Sequence, residues 1–299
     1  MDGPWLRRLP WALLAGALCL ACARSPLPAP PRPVLASVDI IAVGHGDSIL
    51  VTSAAGKHLL IDGGEAEAAP AILAVLRARS ACPLDLILLT HPHSDHVGGL
   101  SRVAEACGAR QYMDSGYHHE SRIYAHLLEI LERRGIPLLQ AEAGRQIDLG
   151  AGAVLTLLGP PRPFLEDGPE GANASSVVSR LSVGKASVLF AGDANAPEEA
   201  WLLGRGFSLR STVLKVGHHG SRTSSTAPFL AAVAPRLAVI SNWPDAPKHP
   251  HPETLERLRA ANAQVLETGR EGTIHLELDA ETVTWATANH PQHQEVRLP

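Results

Sequence analysis

Three histidines and an aspartate stand within six positions at the end of an apolar run. The stretch "DLILLTHPHSDHVGGL", residues 85–100, holds His91, His93, Asp95 and His96. Extended backbone alternates its side chains, so His91 and His93 point the same way off a strand end. Asp95 and His96 fall where the chain turns into the next helix and can aim at a point beside the first. Imidazole nitrogens and carboxylate oxygens suit a divalent ion such as zinc or manganese. Four such donors can seed two ions about 3.5–4 Å apart. The plain alternative is a solvated histidine-rich loop, and the buried strand running straight into the cluster argues against it.

The elements that must position these groups can be read from periodicity. "ASVDIIAV", "DSILVTS" and "HLLIDGG" read as strands, "APAILAVLRARS" as a helix and "LDLILLT" as a buried strand. A helix is expected over 97–107, stopped by Gly108, and an amphipathic one over "ESRIYAHLLEILERRG". The second half repeats the pattern. "SSVVSRLSVGKASVLFAGD" is a hairpin through "VGK", followed by helix, strand, helix, strand and helix, then closing strands to about residue 287. Strand–helix content in both halves suggests two sheets facing each other with helices outside.

Bulk numbers bound the partners. The chain has 299 residues, a formal net charge of −4 and only 4% aromatic residues, so Leu, Val, Ile and Ala must fill the core. No overall charge draws it to nucleic acid or anionic lipid; a phosphate-bearing partner needs a local patch or a bound metal. Residues 1–23 carry Arg7 and Arg8, then an apolar run over 11–21 that is short for a membrane span, and read as an export signal. "ACA" fits ordinary cleavage, while "CLAC" resembles a lipoprotein box with Cys22 as carrier of a lipid in the outer leaflet. Residues 24–34 form a proline-rich tether, 35–287 the folded body and 288–299 a solvated tail. In the body only Cys82 and Cys107 remain; a disulfide and two buried free thiols are both open readings.

"THPHSDHVGGL" matches the HxHxDH signature of the metallo-β-lactamase fold. With "VGHGDSILV", "LLIDGG", "NASSVVSRL", "VLFAGD", "VLKVGHHGSRTSS" and "HPHPETLERL", the chain over 35–277 resembles the extracytoplasmic nuclease-like domain of ComEC-type competence proteins and their stand-alone relatives. The resemblance implies a four-layer αββα sandwich with two divalent metal ions, Zn or Mn, at the sheet edge. It assigns His91 and His93 to a first ion, Asp95 and His96 to a second, Asp193 as the bridging carboxylate, and His249 as a group closing the second site. Read without the resemblance, Asp193 could simply cap the helix at "APEEA", and Asp62 could be a turn residue rather than the orienting aspartate. Adjacent strand residues point apart, so only one of His218 and His219 is expected as a ligand. His218 is favoured because it shares a side with Leu214 and Val216, which leaves His219 to face a substrate phosphate or an outer carboxylate.

Two departures from the family pattern stand out. The usual histidine between the first cluster and the bridging aspartate is replaced by Asn173, with Ser175 and Ser176 beside it. Relatives carry "DVGQGDS" where this chain has Ala42 and His45, although Asp47 remains. Asp47, Asn173 and Ser221 are expected near ligands or substrate. Lys215, Arg222 and Lys248 are expected to supply positive charge at the mouth. His118 and His119 are either a solvated loop or a substrate-contacting pair.

The function expected is hydrolysis of DNA or another phosphodiester outside the cytoplasm by a metal-activated water, with Asp95, Asp193 and His219 as catalytic groups. The alternatives are another hydrolase (phosphocholine ester, lactone or β-lactam) and an inactive, metal-poor binding module. A serine nucleophile lacks its G-x-S-x-G elbow.

Overall fold

Strands buried on both faces carry apolar residues at successive positions, and here each face has a different neighbour. The computed structural model describes residues 32–165, 171–244 and 248–296. The expected signal, Cys22 and most of the tether lie outside them. The first half builds β1 (Ala36–Ile40), β2 (Ile49–Ser53), β3 (His58–Ile61), β4 (Leu86–Leu89), β5 (Tyr112–Asp114) and β6 (Leu138–Gln140). The second builds β7 (Gln146–Gly150), β8 (Ala153–Leu157), β9 (Ser179–Val183), β10 (Ala186–Phe190), β11 (Val213–Lys215), β12 (Leu237–Ile240) and β13 (Gln264–Glu267). The chain then returns: β14 (Ile274–Leu278) pairs with β1, and β15 (Val283–Ala286) and β16 (Gln294–Val296) extend that edge. The result is a nine-stranded and a seven-stranded sheet.

Three separate apolar cores prove the layering. Val38, Val51, Ile61 and Leu88 of the first sheet share a core with Leu155, Leu181, Phe190 and Val239 of the second. The opposite faces, through Leu50, Leu60, Ile87 and Leu89, pack on α1 (Ala69–Ala78), α2 (Ser94–Val97), α3 (Leu100–Ala106) and α4 (Arg122–Arg133). Leu189, Leu214, Ala238 and Ile240 pack on α5 (Ala196–Leu203), α6 (Ala227–Val233) and α7 (Pro252–Ala260). This is the αββα sandwich expected. Within each sheet one run of strands is parallel, β3 to β6 and β10 to β13. Loops leaving the carboxyl ends of such strands are where ligand sites form.

Three local readings differ. The helix expected over 97–107 is broken into α2 and α3 at Gly98–Gly99, because glycine is the weakest ordinary helix former. β6, only three residues long, lacked a readable alternation. The segment read as a solvated tail contributes β16, hydrogen-bonded to β15. Cys82 and Cys107 form a disulfide, with Cα atoms 5.0 Å apart. The bridge encloses β4, α2 and α3, the segment bearing the histidine cluster. Among the described residues no helix is long and apolar enough to cross a membrane.

Candidate metal centre

The site forms where β3, β4, β10 and β11 end. Asp62, just past β3 with φ 60°, accepts hydrogen bonds from the Thr90 amide and hydroxyl, both at 2.7 Å. Its Oδ2 also lies 2.7 Å from His96 Nδ1. Asp62 is therefore no simple turn residue. It fixes the end of β4 and holds the His96 ring so that Nε2 points into the cluster, the carboxylate–imidazole arrangement that orients metal ligands. Across the sandwich, Gly192 at φ 53° carries β10 into Asp193; a Cβ on Gly192 would stand 3.1 Å from that of Thr90. The Asp193 amide donates to Ser176 Oγ at 3.2 Å, and the Ser176 amide to Glu198 Oε2 at 3.2 Å. Burial pushes the Glu198 carboxyl well above its ordinary range.

Asp193 divides its oxygens between two groups of imidazoles. Oδ1 is 3.3 Å from His96 Nε2 and 3.4 Å from His219 Nε2. Oδ2 is 3.7 Å from His91 Nε2 and 3.8 Å from His218 Nε2. On the first side, Asp95 Oδ2 lies 3.2 Å from His219 Nε2 and 3.7 Å from His96 Nε2, and the two imidazole nitrogens are 3.3 Å apart. On the other, His91 Nε2 is 3.1 Å from His93 Nδ1. Donors about 2.0–2.1 Å from a tetrahedral ion stand about 3.3–3.4 Å from one another. Asp95, His96, Asp193 and His219, whose donor atoms lie within 4.8 Å of one another, already have that spacing. Asp193 Oδ1 is buried and accepts no hydrogen bond from the protein. The donor set and this orphaned oxygen fit a divalent cation.

The electrostatics of the protein groups agree. Burial alone would lower the basicity of His96 and His219, but Asp193, Asp95 and the carboxylates behind them outweigh it and raise both. Burial alone would raise Asp193, yet His96 and His219 hold it well below the usual carboxylate range. His91, fully buried and backed by no acid of its own, is pushed well below its ordinary value by burial and by His96.

The expectation for the histidine pair needs revision. His218 and His219 both take left-handed backbone, φ 47° and 52°, so the chain coils tightly instead of continuing as a strand. The coil sends consecutive imidazoles to opposite oxygens of Asp193, and both reach the cluster. His219 therefore occupies the position expected for His249. The His249 ring is not brought into the four-donor group. It sits 5.6 Å from the His218 ring and 5.7 Å from that of His45, and burial with its imidazole neighbours lowers it to about 4. His45 reaches further in: Nε2 is 3.6 Å from Asp95 Oδ2 and its ring 4.4 Å from that of His219. Gly46 makes this approach possible, since a Cβ there would collide with the Asp95 carbonyl.

Lys215 was expected at the mouth, and it is wholly buried. Its Nζ lies 2.8 Å from Asp47 Oδ1, whose carboxylate stands 3.7 Å from His219 Nδ1. Asp47 thus stands behind His219 as a charge, at a distance beyond a hydrogen bond, whereas Asp62 is hydrogen-bonded to His96. Residue order alone gave no signal for the lysine's inward turn except its place in the apolar run "VLKVG". Arg222 and Lys248 are exposed. Ser221 spends its hydroxyl within its own loop, 3.0 Å from Thr223 Oγ1. Asn173 is buried with its side-chain oxygen unpartnered. His118 is exposed, whereas the His119 ring lies 5.6 Å from that of His93.

The metallo-beta-lactamase superfamily profile matches residues 41–242, more than half the chain. The chain is 34% identical over 247 residues to competence protein ComA of Neisseria gonorrhoeae and 26% identical over 256 residues to ComE operon protein 3 of Bacillus subtilis. These alignments take in 81% and 79% of the chain but 32% of each relative, so the chain spans about a third of their length. Among solved structures, CmlA, a diiron β-hydroxylase from Streptomyces venezuelae, shares the fold: TM-score 0.54, 16% identity, 83% of this chain and 55% of that one. With the sandwich, the cluster at its strand ends and the profile in agreement, the chain belongs to the metallo-β-lactamase superfamily and is similar to the ComEC-type competence proteins.

Proposed function

We propose that this chain is an exported, dinuclear metal-dependent phosphodiesterase acting on DNA or a related phosphodiester. The observation that carries the reading is the division of Asp193: one carboxylate oxygen faces His96 and His219, the other His91 and His218. A carboxylate so placed would hold one ion on each oxygen if two were bound. His91, His93 and His218 would hold one and Asp95, His96 and His219 the other, with Zn or Mn the best match to the donors. When bound, such ions supply Lewis acidity and an acidified water as nucleophile.

The chain's own groups orient this chemistry. Asp62 fixes His96 through a 2.7 Å hydrogen bond, and Asp47 faces the buried His219 ring as a nearby charge at 3.7 Å, so both rings are turned with Nε2 toward the cage. Charge developing on the phosphate, assigned to His219 on sequence grounds, falls instead to the rim. There His45 and His249, with rings 5.7 Å apart, present nitrogens to a phosphoryl or leaving oxygen. Asp95, about 15% exposed, is the most exposed of the group Asp95, His96, Asp193 and His219. The lack of a histidine at Asn173 favours a phosphodiester over a β-lactam, and the likeness to competence proteins favours DNA. Export is supported by the Cys82–Cys107 bridge, since disulfides persist in oxidising compartments. Attachment through a lipid on Cys22 belongs to the same proposal and predicts a lipid-sized mass increase on the mature N-terminus.

The test is hydrolysis of bis-p-nitrophenyl phosphate and of fluorescent single- and double-stranded oligonucleotides by the purified protein, with Mn and Zn added separately. The reading expects metal-dependent turnover that disappears in the His91→Ala/His93→Ala double variant. Turnover surviving that change, or faster turnover of nitrocefin than of either diester, contradicts it.

A further inference from the structure

A second polar cavity lies away from the histidines, where the β9–β10 hairpin meets the loop entering β11. It measures about 350 Å³, and its walls include Arg180, Lys185, Arg210, Ser187, Ser211 and Thr212. No acidic residue lines it, although the whole chain carries a net charge of −4. The Arg180 guanidinium, half-buried on β9, meets only neutral acceptors. Its Nε donates to the Arg210 carbonyl at 3.0 Å and to Ser211 Oγ at 3.2 Å, and Nη1 to Ser182 Oγ at 2.6 Å. Among the described residues no carboxylate comes within ion-pair distance, and burial lowers its basicity without any acid to offset it. The Thr212 hydroxyl is buried, with the residue 1% exposed, and has no hydrogen-bond partner. Ser187 Oγ accepts from the Thr212 amide at 3.3 Å and keeps its own proton to donate. Lys185 Nζ is 2.9 Å from Glu281 Oε2 in an exposed contact, so the lysine closes the rim while the unpaired charge lies within.

Leaving a partly desolvated guanidinium without an anion is unfavourable, and its planar fork matches two oxygens of a phosphate. Unspent hydroxyl donors beside it complete an oxyanion cradle, and the volume is that of a small-molecule site. We infer that this cavity binds the phosphate group of a small phosphate ester of about nucleotide size, with Arg180 as the fork and Thr212 and Ser187 as hydroxyl donors. The inference does not rest on the phosphodiesterase reading, because no residue of the cavity belongs to the cluster.

The experiment is calorimetric titration of the full chain, with chelator present to silence the metal centre, using inorganic phosphate, thymidine 5′-monophosphate and thymidine. Saturable binding of the monophosphate is expected, with none of thymidine. Arg180→Met should weaken it by on the order of tenfold or more, the worth of a charge-assisted contact. Thr212→Val, which keeps the side-chain shape, should weaken it several-fold, and it serves if Arg180→Met fails to fold. The His91→Ala/His93→Ala variant should bind as the wild type does. Equal affinities for inorganic phosphate and the monophosphate would support recognition of the phosphate alone. Thymidine binding as tightly as its monophosphate, no saturable binding in the wild type, or binding lost in the histidine variant but kept in Arg180→Met would each overturn the inference.

Discussion

On one side of Asp193, His96 and His219 are backed by carboxylates, Asp62 at 2.7 Å and Asp47 at 3.7 Å, and both rings are wholly buried. On the other side, His218 is 18% exposed with no carboxylate behind its Nδ1, while His91 Nδ1 meets only the Thr90 hydroxyl at 3.1 Å. The two halves of the cluster are thus built differently. The first is a closed cage of two carboxylates and two wholly buried imidazoles, with His96 oriented by its hydrogen bond to Asp62. The second is a looser, more open set of three imidazoles sharing the same acid. Outer carboxylates fix ring orientation and raise ligand basicity. The closed cage should therefore hold its ion more tightly, and the open one should exchange its ion and face substrate.

The most drastic way to break this comparison is to remove the shared group. Asp193→Ala should abolish tight binding on both sides. Turnover should fall by more than about 100-fold, the upper end of what loss of an outer carboxylate costs; metal analysis beside diester kinetics checks both. Asp62→Ala attacks one half only. Affinity for one of the two ions should fall by about 10–100-fold while the other is little changed, as read by competition against a chelator. If both ions loosen equally, the halves are not distinct. His219→Ala and His249→Ala sharpen the assignment: the first should lower metal content, and the second should lower kcat with metal content unchanged.

The disulfide offers a smaller handle. It closes a loop of 25 residues around the stretch carrying His91 to His96, whereas Asp193 and His218 sit in the turns after β10 and β11, outside that loop. Cys82→Ser/Cys107→Ser should cost about 3 kcal/mol of stability, seen as a lower denaturant midpoint. At temperatures where the variant stays folded, metal stoichiometry should be unaltered. The smallest effect concerns a carboxylate–imidazole contact remote from the cluster. Asp39 lies 2.8 Å from His275 Nδ1 and pairs with Arg79. Burial alone would raise its carboxyl, but hydrogen bonds from His275 and Arg79 outweigh that and hold it below its ordinary 3.8. A lowered folded value contributes stability above the ordinary carboxylate range, lost as pH falls through that range and the folded value. Thermal unfolding of chelated protein in the acid range should therefore depend less steeply on pH in Asp39→Asn than in the wild type.

What could be read beforehand follows from how local each feature is. His91, His93, Asp95 and His96 were legible because one contiguous strand–turn–helix carries all four, and the sandwich because its apolar runs are bounded by clear turns. The side to which His219 points was not legible, because it depends on two successive left-handed residues, a conformation that only glycine reliably advertises in sequence. Lys215 was placed outside because a lone lysine is ordinarily a surface residue. Its burial follows from β11 lying between β10 and β12 with both faces covered, a fact of topology. The bridge between Cys82 and Cys107 was undecidable until the ends of β4 and α3 were fixed in space. β16 depends on pairing with β15 and has no strong alternation of its own.

The central claim is that one carboxylate joins two unequal cages. Anomalous diffraction from crystals of the zinc-loaded protein tests it most directly. The account predicts two peaks about 3.5–4 Å apart on either side of the Asp193 carboxylate. The peak beside His96 and His219 should be fully occupied, and the one beside His91 and His218 should weaken first as zinc is withdrawn. A single peak, or two that leave Asp193 uncoordinated, would contradict it.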